Sequence, residues 1–230
     1  MKLVLFDIDG TLLRSDGAGR RAVNRALREV FGSTGPSTYM FDGKTDRQIV
    51  RELMRHEGHE DERIDADMHR LLERYVQCLH EELNAPGFSA APLPGVTALL
   101  DELEAREDVI VGLLTGNIEP GANAKLRAVG IDPARFRVGA FGSDHEHRPE
   151  LPAIAQRRTR DHLGVHVEGA AMVVIGDTPA DVNCGKALGA RAIGVATGRY
   201  SVEELLTHGP VAVFEDLSRT DDVLRAILHA

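Results

Sequence analysis

After Pro92-Leu93-Pro94-Gly95 the chain alternates between helix and strand patterns, and this alternation restricts the fold more than any other feature. Amphipathic helix patterns at Val96 to Arg106, Pro120 to Val129, Leu151 to Leu163 and Pro179 to Leu188 are each followed by a short apolar run. Those runs are Val109 to Leu114, Phe136 to Phe141, Ala171 to Ile175 and Arg191 to Val195. A helix near Ser201, a short strand at Val211 to Phe214 and a helix from Ser218 close the chain. Runs apolar on both sides need cover on both faces, so the pattern predicts an α/β fold with a doubly wound parallel sheet. Leu3-Val4-Leu5-Phe6 is another such run and is expected to join the sheet as a central strand.

The stretch between these parts has a different rhythm. Asp16 is placed to cap a helix carrying Ala22, Val23, Ala26, Leu27, Val30 and Phe31 on one face and ended by Gly32. Thr45 is placed to cap a second helix with Ile49, Val50, Leu53 and Met54 inward. A longer third helix carries Ile64, Met68, Leu71, Leu72, Tyr75, Val76 and Leu79. No strand pattern is evident from about Arg14 to Phe88. The chain therefore divides into an α/β core, residues 1–13 and 92–230, and a helical insertion, residues 14–91.

Composition narrows the classes of partner. The 27 Lys and Arg against 36 Asp and Glu give a net charge of -9, which disfavours nucleic acid and anionic membrane. Cys78 and Cys184 are far apart with no metal-ligand spacing, so neither a disulfide framework nor a zinc site is expected. Lys2 precedes only four apolar residues before Asp7, unlike a signal peptide, and no stretch is long enough to span a bilayer. A reducing cytoplasm is the expected location, while the oligomeric state stays open.

Asp7 and Asp9 stand two apart at the end of the first strand, so their side chains share a face, and Gly10 lets the backbone turn behind them. Adjacent acids repel, and such a pair is tolerated where a cation binds between them or one is held protonated. Open α/β sheets bind ligands beyond the carboxyl ends of their strands, where the strand order reverses. In a 3-2-1-4-5 order, Thr115-Gly116-Asn117 and Gly176-Asp177-Thr178-Pro179-Ala180-Asp181 end the two strands that flank the first. Asp181 and Asn117 each have a second reading, as capping residues of the helices that follow.

Asp7-Ile8-Asp9-Gly10-Thr11, Thr115-Gly116-Asn117, a basic residue before the fourth strand, and Gly176-Asp177 with Asp181 resemble, in that order, the four motifs of the haloacid dehalogenase superfamily. The helical insertion resembles its mobile cap, and Gly43-Lys44-Thr45-Asp46 resembles the cap loop of its phosphoglycolate-phosphatase-like branch. The resemblance implies a Rossmann-like core and a Mg2+-dependent phosphomonoester hydrolase acting on a small phosphorylated metabolite. It assigns Asp7 as nucleophile and metal ligand, Asp9 as acid/base with its carbonyl on the metal, and Asp177 as the other metal ligand. Thr115, Gly116 and Asn117 would hold the phosphate, and Thr11 and Asp181 would support the metal site.

The third motif, a lysine in the commonest pattern, has no lysine here; Arg148 takes the matching place ahead of the helix, as a cation able to grip a carboxylate or phosphate, with Arg157, Arg158 and Arg160 as rivals. Lys44 reads either as an exposed lysine or as an anion-facing contact on the cap. His145 and His147 read as a solvated turn. By resemblance, Asp9 points away from dehalogenation and towards phosphate esters. A sugar-phosphate phosphomutase is the nearest alternative, but those members carry a histidine where this chain has Gly17-Ala18-Gly19-Arg20-Arg21. A phospho-accepting signalling module is a different class, and such modules are shorter and have no helical insertion; a silent binding protein is a third.

Overall fold

The computed structural model describes residues 1–230. The chain runs β1 (Lys2–Phe6), β2 (Leu13–Arg14), α1 (Ala18–Phe31), α2 (Asp46–His56), α3 (Asp61–Leu83), β3 (Ala91–Pro92), α4 (Val96–Glu104) and β4 (Val109–Thr115). It continues through α5 (Glu119–Ala128), β5 (Val138–Phe141), α6 (Leu151–Leu163), β6 (Met172–Gly176), α7 (Pro179–Cys184), β7 (Arg191–Val195), α8 (Val202–Leu206), β8 (Ala212–Phe214) and α9 (Thr220–His229). No helix is long and apolar enough to cross a membrane.

Six parallel strands form one sheet in the order β5-β4-β1-β6-β7-β8. Counted among the sheet strands this is 3-2-1-4-5 with a sixth strand, β8, added at the edge. β1 is central, and its alternation sorts its side chains into two cores. Val4 and Phe6 pack with Leu99, Leu103, Leu126 and Ile227 from α4, α5 and α9. Leu3 and Leu5 pack on the other face with Leu151, Ile154 and Ala155 from α6. Each of these four β1 side chains is fully buried, and burial of one such chain is worth about 1.5–3 kcal/mol. A strand held this firmly on both faces gives the residues after it a fixed origin.

Helices α1, α2 and α3 have their own core, built from Leu27, Leu53, Met54, Leu71 and Tyr75, which Ile118 and Ala124 of the α/β part also enter. Two features here differ from the sequence pattern. Asp16 does not cap α1: Asp16 (φ 45°) and Gly17 (φ 73°) form a tight reversal closed by the Ala18 N–H on the Ser15 carbonyl at 2.8 Å, and Gly17 is the capping residue. The Asp-Gly pair is spent on the turn because two successive positive φ values suit it. The second is the β2–β3 ribbon, two residues per strand and too short to leave a periodic signature, which pairs Leu13 with Pro92 and Arg14 with Ala91. It lays the two connections to the three-helix unit side by side. Thr45 caps α2 as its sequence implies, accepting from the Gln48 N–H at 3.1 Å.

The start of α2 is fastened to the carboxyl edge of the sheet. The Asp46 N–H donates to the Gly116 carbonyl at 2.8 Å, and the Asp46 carboxylate accepts from the Ile118 N–H at 2.8 Å. Thr45 donates to the Glu146 carbonyl at 2.7 Å, and Arg51 pairs with the Glu146 carboxylate at 2.7 Å. Burial pushes the Asp46 carboxyl up to about 6, against the opposing pull of Lys125 and the Ile118 N–H. A carboxyl raised by folding costs the native state stability as pH rises from its unfolded value, near 4, through about 6. Asp46→Asn keeps an oxygen for the Ile118 N–H and removes that cost. In denaturant unfolding it is expected to match the wild type below about pH 4 and to exceed it by about 1–3 kcal/mol above about pH 7. A difference that does not change with pH would show that Asp46 carries no such cost.

Candidate active site

The loop after β1 is shaped by its neighbours. The Asp7 N–H donates to the Ile175 carbonyl of β6 at 2.9 Å, and the Gly10 N–H donates to the Leu13 carbonyl at 2.9 Å. Gly10 has φ 83°, and a Cβ there would lie 2.4 Å from an Asp177 carboxylate oxygen, so only glycine allows the loop to pass. The ends of β1, β4 and β6 therefore converge. A cavity of about 360 Å³ opens over them, lined by Asp7, Asp9, Thr115, Gly116, Arg148 and Asp177 from the sheet side and closed by the three-helix unit.

Asp7, Asp177 and Asp181 each place a carboxylate oxygen within 4.8 Å of the others, and all three are buried. Arg148, 4% exposed, bridges this cluster: its Nη2 donates to Asp7 Oδ1 at 3.0 Å and to Asp181 Oδ1. Arg158, by contrast, is taken by Asp144 and the Gly139 carbonyl, Arg160 pairs with Asp161, and Arg157 is exposed. Arg148 is thus the arginine that reaches the cluster.

One cation among three buried acids leaves negative charge uncompensated. Burial raises Asp7 above the usual carboxylate range, with Arg148 opposing and Asp181 and Asp9 adding to the rise. Burial, then Asp181 and Asp7, also raise Asp177, whose side-chain partner is the Thr11 hydroxyl at 3.3 Å. Asp181 is already satisfied: besides Arg148, it accepts from the Thr178 N–H at 3.0 Å and the Thr178 hydroxyl at 2.6 Å, closing a capping box on α7. Asp7 and Asp177 are left as the open oxygen donors. A hard divalent cation that keeps some of its waters, such as Mg2+, fits that donor set. Asp181 holds Arg148 and caps the start of α7, with its carboxylate in the acidic cluster.

Asp9 lies in the opposite environment. Its Oδ2 accepts from Lys125 Nζ at 2.6 Å and from Asn117 Nδ2 at 2.8 Å, and its Oδ1 from the Ser15 hydroxyl at 3.3 Å. Although burial pushes the carboxyl up, Lys125 and these hydrogen bonds outweigh it and hold Asp9 below the usual range. Two acids separated by one residue thus stand in different surroundings, Asp7 short of positive charge and Asp9 supplied with it. The Asn117 amide also donates to Thr115 Oγ1 at 2.9 Å. Asn117 does not cap α5, because Ile118 stands at that position. The Ile118 and Glu119 N–H groups are engaged by Asp46 and by Ser143.

Lys44 lines the cavity, but its ammonium is bound to Glu52 at 2.5 Å and to the Tyr39 hydroxyl at 2.8 Å. Its backbone is the closer contact: a Cβ on Gly116 would lie 2.0 Å from the Lys44 carbonyl oxygen, so glycine at 116 is what lets the loop approach. His145 and His147 form an exposed turn, with the His147 N–H donating to His145 Nδ1 at 3.0 Å. The sequence pattern missed two residues, Lys125 and Asp46. The one available signal was position: Lys125 falls on the inward face of α5, among the buried Ala122, Ala124 and Leu126.

Residues 4–186 match the family model described as haloacid dehalogenase-like hydrolase. The chain is 32% identical to a phosphoglycolate phosphatase of Rhodospirillum rubrum, across 97% of this chain and 90% of that one. In structure it is similar to a hydrolase from Pseudomonas syringae, with a TM-score of 0.73 and 24% identity over 99% of both chains. It is also similar to CbbY from Rhodobacter sphaeroides in complex with phosphate, with a TM-score of 0.71 and 22% identity over 95% of both. Strand order, motif order and these matches agree, and the chain belongs to the haloacid dehalogenase-like hydrolase family.

Proposed function

We propose that this chain is a Mg2+-dependent phosphomonoester hydrolase that acts on a small phosphorylated metabolite through an aspartyl-phosphate on Asp7. The observation that carries the reading is geometric: Asp7 and Asp177 turn open carboxylate oxygens into the cavity beside the buried Arg148, and Asp9 faces the same cavity two residues along from Asp7. Asp7 and Asp177, with the Asp9 carbonyl, would hold the ion. When bound, it would offset the repulsion between an anionic nucleophile and an anionic ester.

Asp7, steadied by Arg148, attacks phosphorus in line and becomes the acyl phosphate. Thr115 and the Gly116 N–H hold the phosphoryl oxygens as charge moves, with Arg148 matching the added charge; Asn117, whose amide donors are taken by Asp9 and Thr115, keeps those two in place instead of meeting the phosphate. Asp9 passes a proton to the leaving oxygen and then takes one from the water that opens the intermediate. Thr11 steadies Asp177, and Asp181 steadies Arg148. The three helices, residues 14–91, act as the cap that shuts water out.

Four of the 24 cavity-lining residues are apolar, which supports a polar substrate, and the volume supports a small one. The name of the R. rubrum relative supports a phosphate ester of that kind. No histidine lines the cavity, which favours hydrolysis over the phosphomutase alternative. Net charge of -9 supports a small-molecule substrate over nucleic acid, and two buried free thiols accord with the cytoplasm.

Phosphate release from an aryl phosphate is expected to require added Mg2+ and to stop with chelator. Asp7→Asn is expected to lose at least about 10³-fold in kcat with its far-UV spectrum unchanged. A stable phosphorylated Asp7 without turnover would instead identify a signalling module. Arg148→Met is expected to lower kcat by about 10²–10³-fold; a change confined to KM would remove Arg148 from the transition-state machinery.

A further inference from the structure

Lys125 is the one buried lysine of four, at 4% exposure, and none of the strand-end motifs contains it. It comes from α5 and ends between Asp9 Oδ2 and Asn117 Oδ1, each at 2.6 Å. On its other side is α1 of the three-helix unit, where a Cβ on Gly19 would lie 3.1 Å from the ammonium nitrogen. A buried ammonium carries a desolvation cost, and two charge-assisted hydrogen bonds offset it only while both acceptors keep their places. The arrangement therefore fixes the Asp9 carboxylate about its side-chain torsions. Oδ2 already has two donors, which fills its acceptor sites, whereas Oδ1 has a single long contact from Ser15 at 3.3 Å.

We infer that Lys125 is a positioning residue for proton transfer: by binding Oδ2 of Asp9 it leaves Oδ1 as the oxygen that exchanges a proton with the substrate. The inference rests on the phosphatase reading above. Asp9 is ionised at rest, so Oδ1 first takes the proton that the monoanionic ester brings; as the Asp7–phosphorus bond forms and the ester P–O bond breaks, that proton passes to the leaving oxygen. The carboxylate so formed takes a proton from the water that attacks the acyl phosphate and returns it to the departing phosphate, which leaves Asp9 ionised again. Lys125 also joins the two parts of the molecule, because α1 covers it and Asp9 belongs to the loop after β1.

The test is dependence on the leaving group, measured as kcat/KM, which reports the steps through the first P–O cleavage. An activated aryl ester, 4-nitrophenyl phosphate, leaves without protonation. An alkyl ester, phosphoglycolate or glycerol 2-phosphate according to which the wild type hydrolyses, does not. Lys125→Met is expected to lower the alkyl-to-aryl ratio of kcat/KM by about 10–100-fold, within the range of a positioned general acid. Lys125→Arg is expected to recover part of it. In an Asp9→Asn background, Lys125→Met is expected to leave the ratio where Asp9→Asn alone puts it. Gly19→Ala gives an independent variant, since alanine suits a helix while its methyl crowds the ammonium. It is expected to lower the ratio a few-fold with no loss of melting temperature. Equal losses on both esters, or an undiminished Lys125→Met effect in the Asp9→Asn background, would overturn the positioning role. A wild type that hydrolyses no alkyl ester sinks the phosphatase reading, and this inference with it.

Discussion

The crowding of carboxylates at the mouth of the sheet is the constraint from which the rest of the site follows. Asp7, Asp177 and Asp181 lie within 4.8 Å of one another, with Asp9 and Asp46 at the same cavity. Such a group persists only if charges are divided among partners, because an unpaired buried carboxylate gains its proton or disrupts the fold. Two buried cations do the dividing. Arg148 spans Asp7 and Asp181, and Lys125 serves Asp9. The planar guanidinium suits the first place because one nitrogen faces two acids. The compact ammonium suits the second, where a carboxylate and an amide oxygen approach one point.

This partition gives neighbouring acids opposite characters. Asp7 has its cation shared with Asp181 and stays raised, a group waiting for further positive charge. Asp9 has an ammonium on one oxygen and is held ionised. Asp177 has only a hydroxyl, so the deficit concentrates on the side of the cavity where the ends of β1 and β6 meet. Charge imbalance, more than any single residue, localises where a divalent ion would be held.

The parts of this design carried by strand ends were legible in the sequence. β1 is apolar on both sides, which demanded a central position, and Thr115 and Asp177 fell at the ends of the strands paired to it. Arg148 was legible from its place before α6, although its neighbours Arg157, Arg158 and Arg160 carry the same charge; three-dimensional reach decided among them. Lys125 and Asp46 were hidden for a common reason. Each is a charged residue on a helix whose burial depends on a partner distant in sequence, so even the inward position of Lys125 on α5 did not point to Asp9. Asp16 misled because Asp-Gly serves equally as a helix start or a reversal, and only the backbone torsions choose. β2 and β3 are too short for any period to register.

The contact between the two parts of the molecule combines backbone hydrogen bonds with the apolar contact that Ile118 and Ala124 make in the three-helix core. The Lys44 carbonyl rests on Gly116, the Asp46 N–H bonds the Gly116 carbonyl, and the Thr45 hydroxyl bonds the Glu146 carbonyl. Hydrogen bonds of this kind contribute about 0.5–1.5 kcal/mol each, because water replaces them on separation. By contrast, the three-helix core and the sheet cores are apolar and lose their stabilisation if opened. A hinge motion along this seam would exchange these hydrogen bonds for water and would also uncover Ile118 and Ala124. Lys125 lies on the seam, below Gly19. Lifting α1 would admit water to its ion pair with Asp9 and weaken it, so the Asp9 carboxylate is held most firmly while α1 covers Lys125.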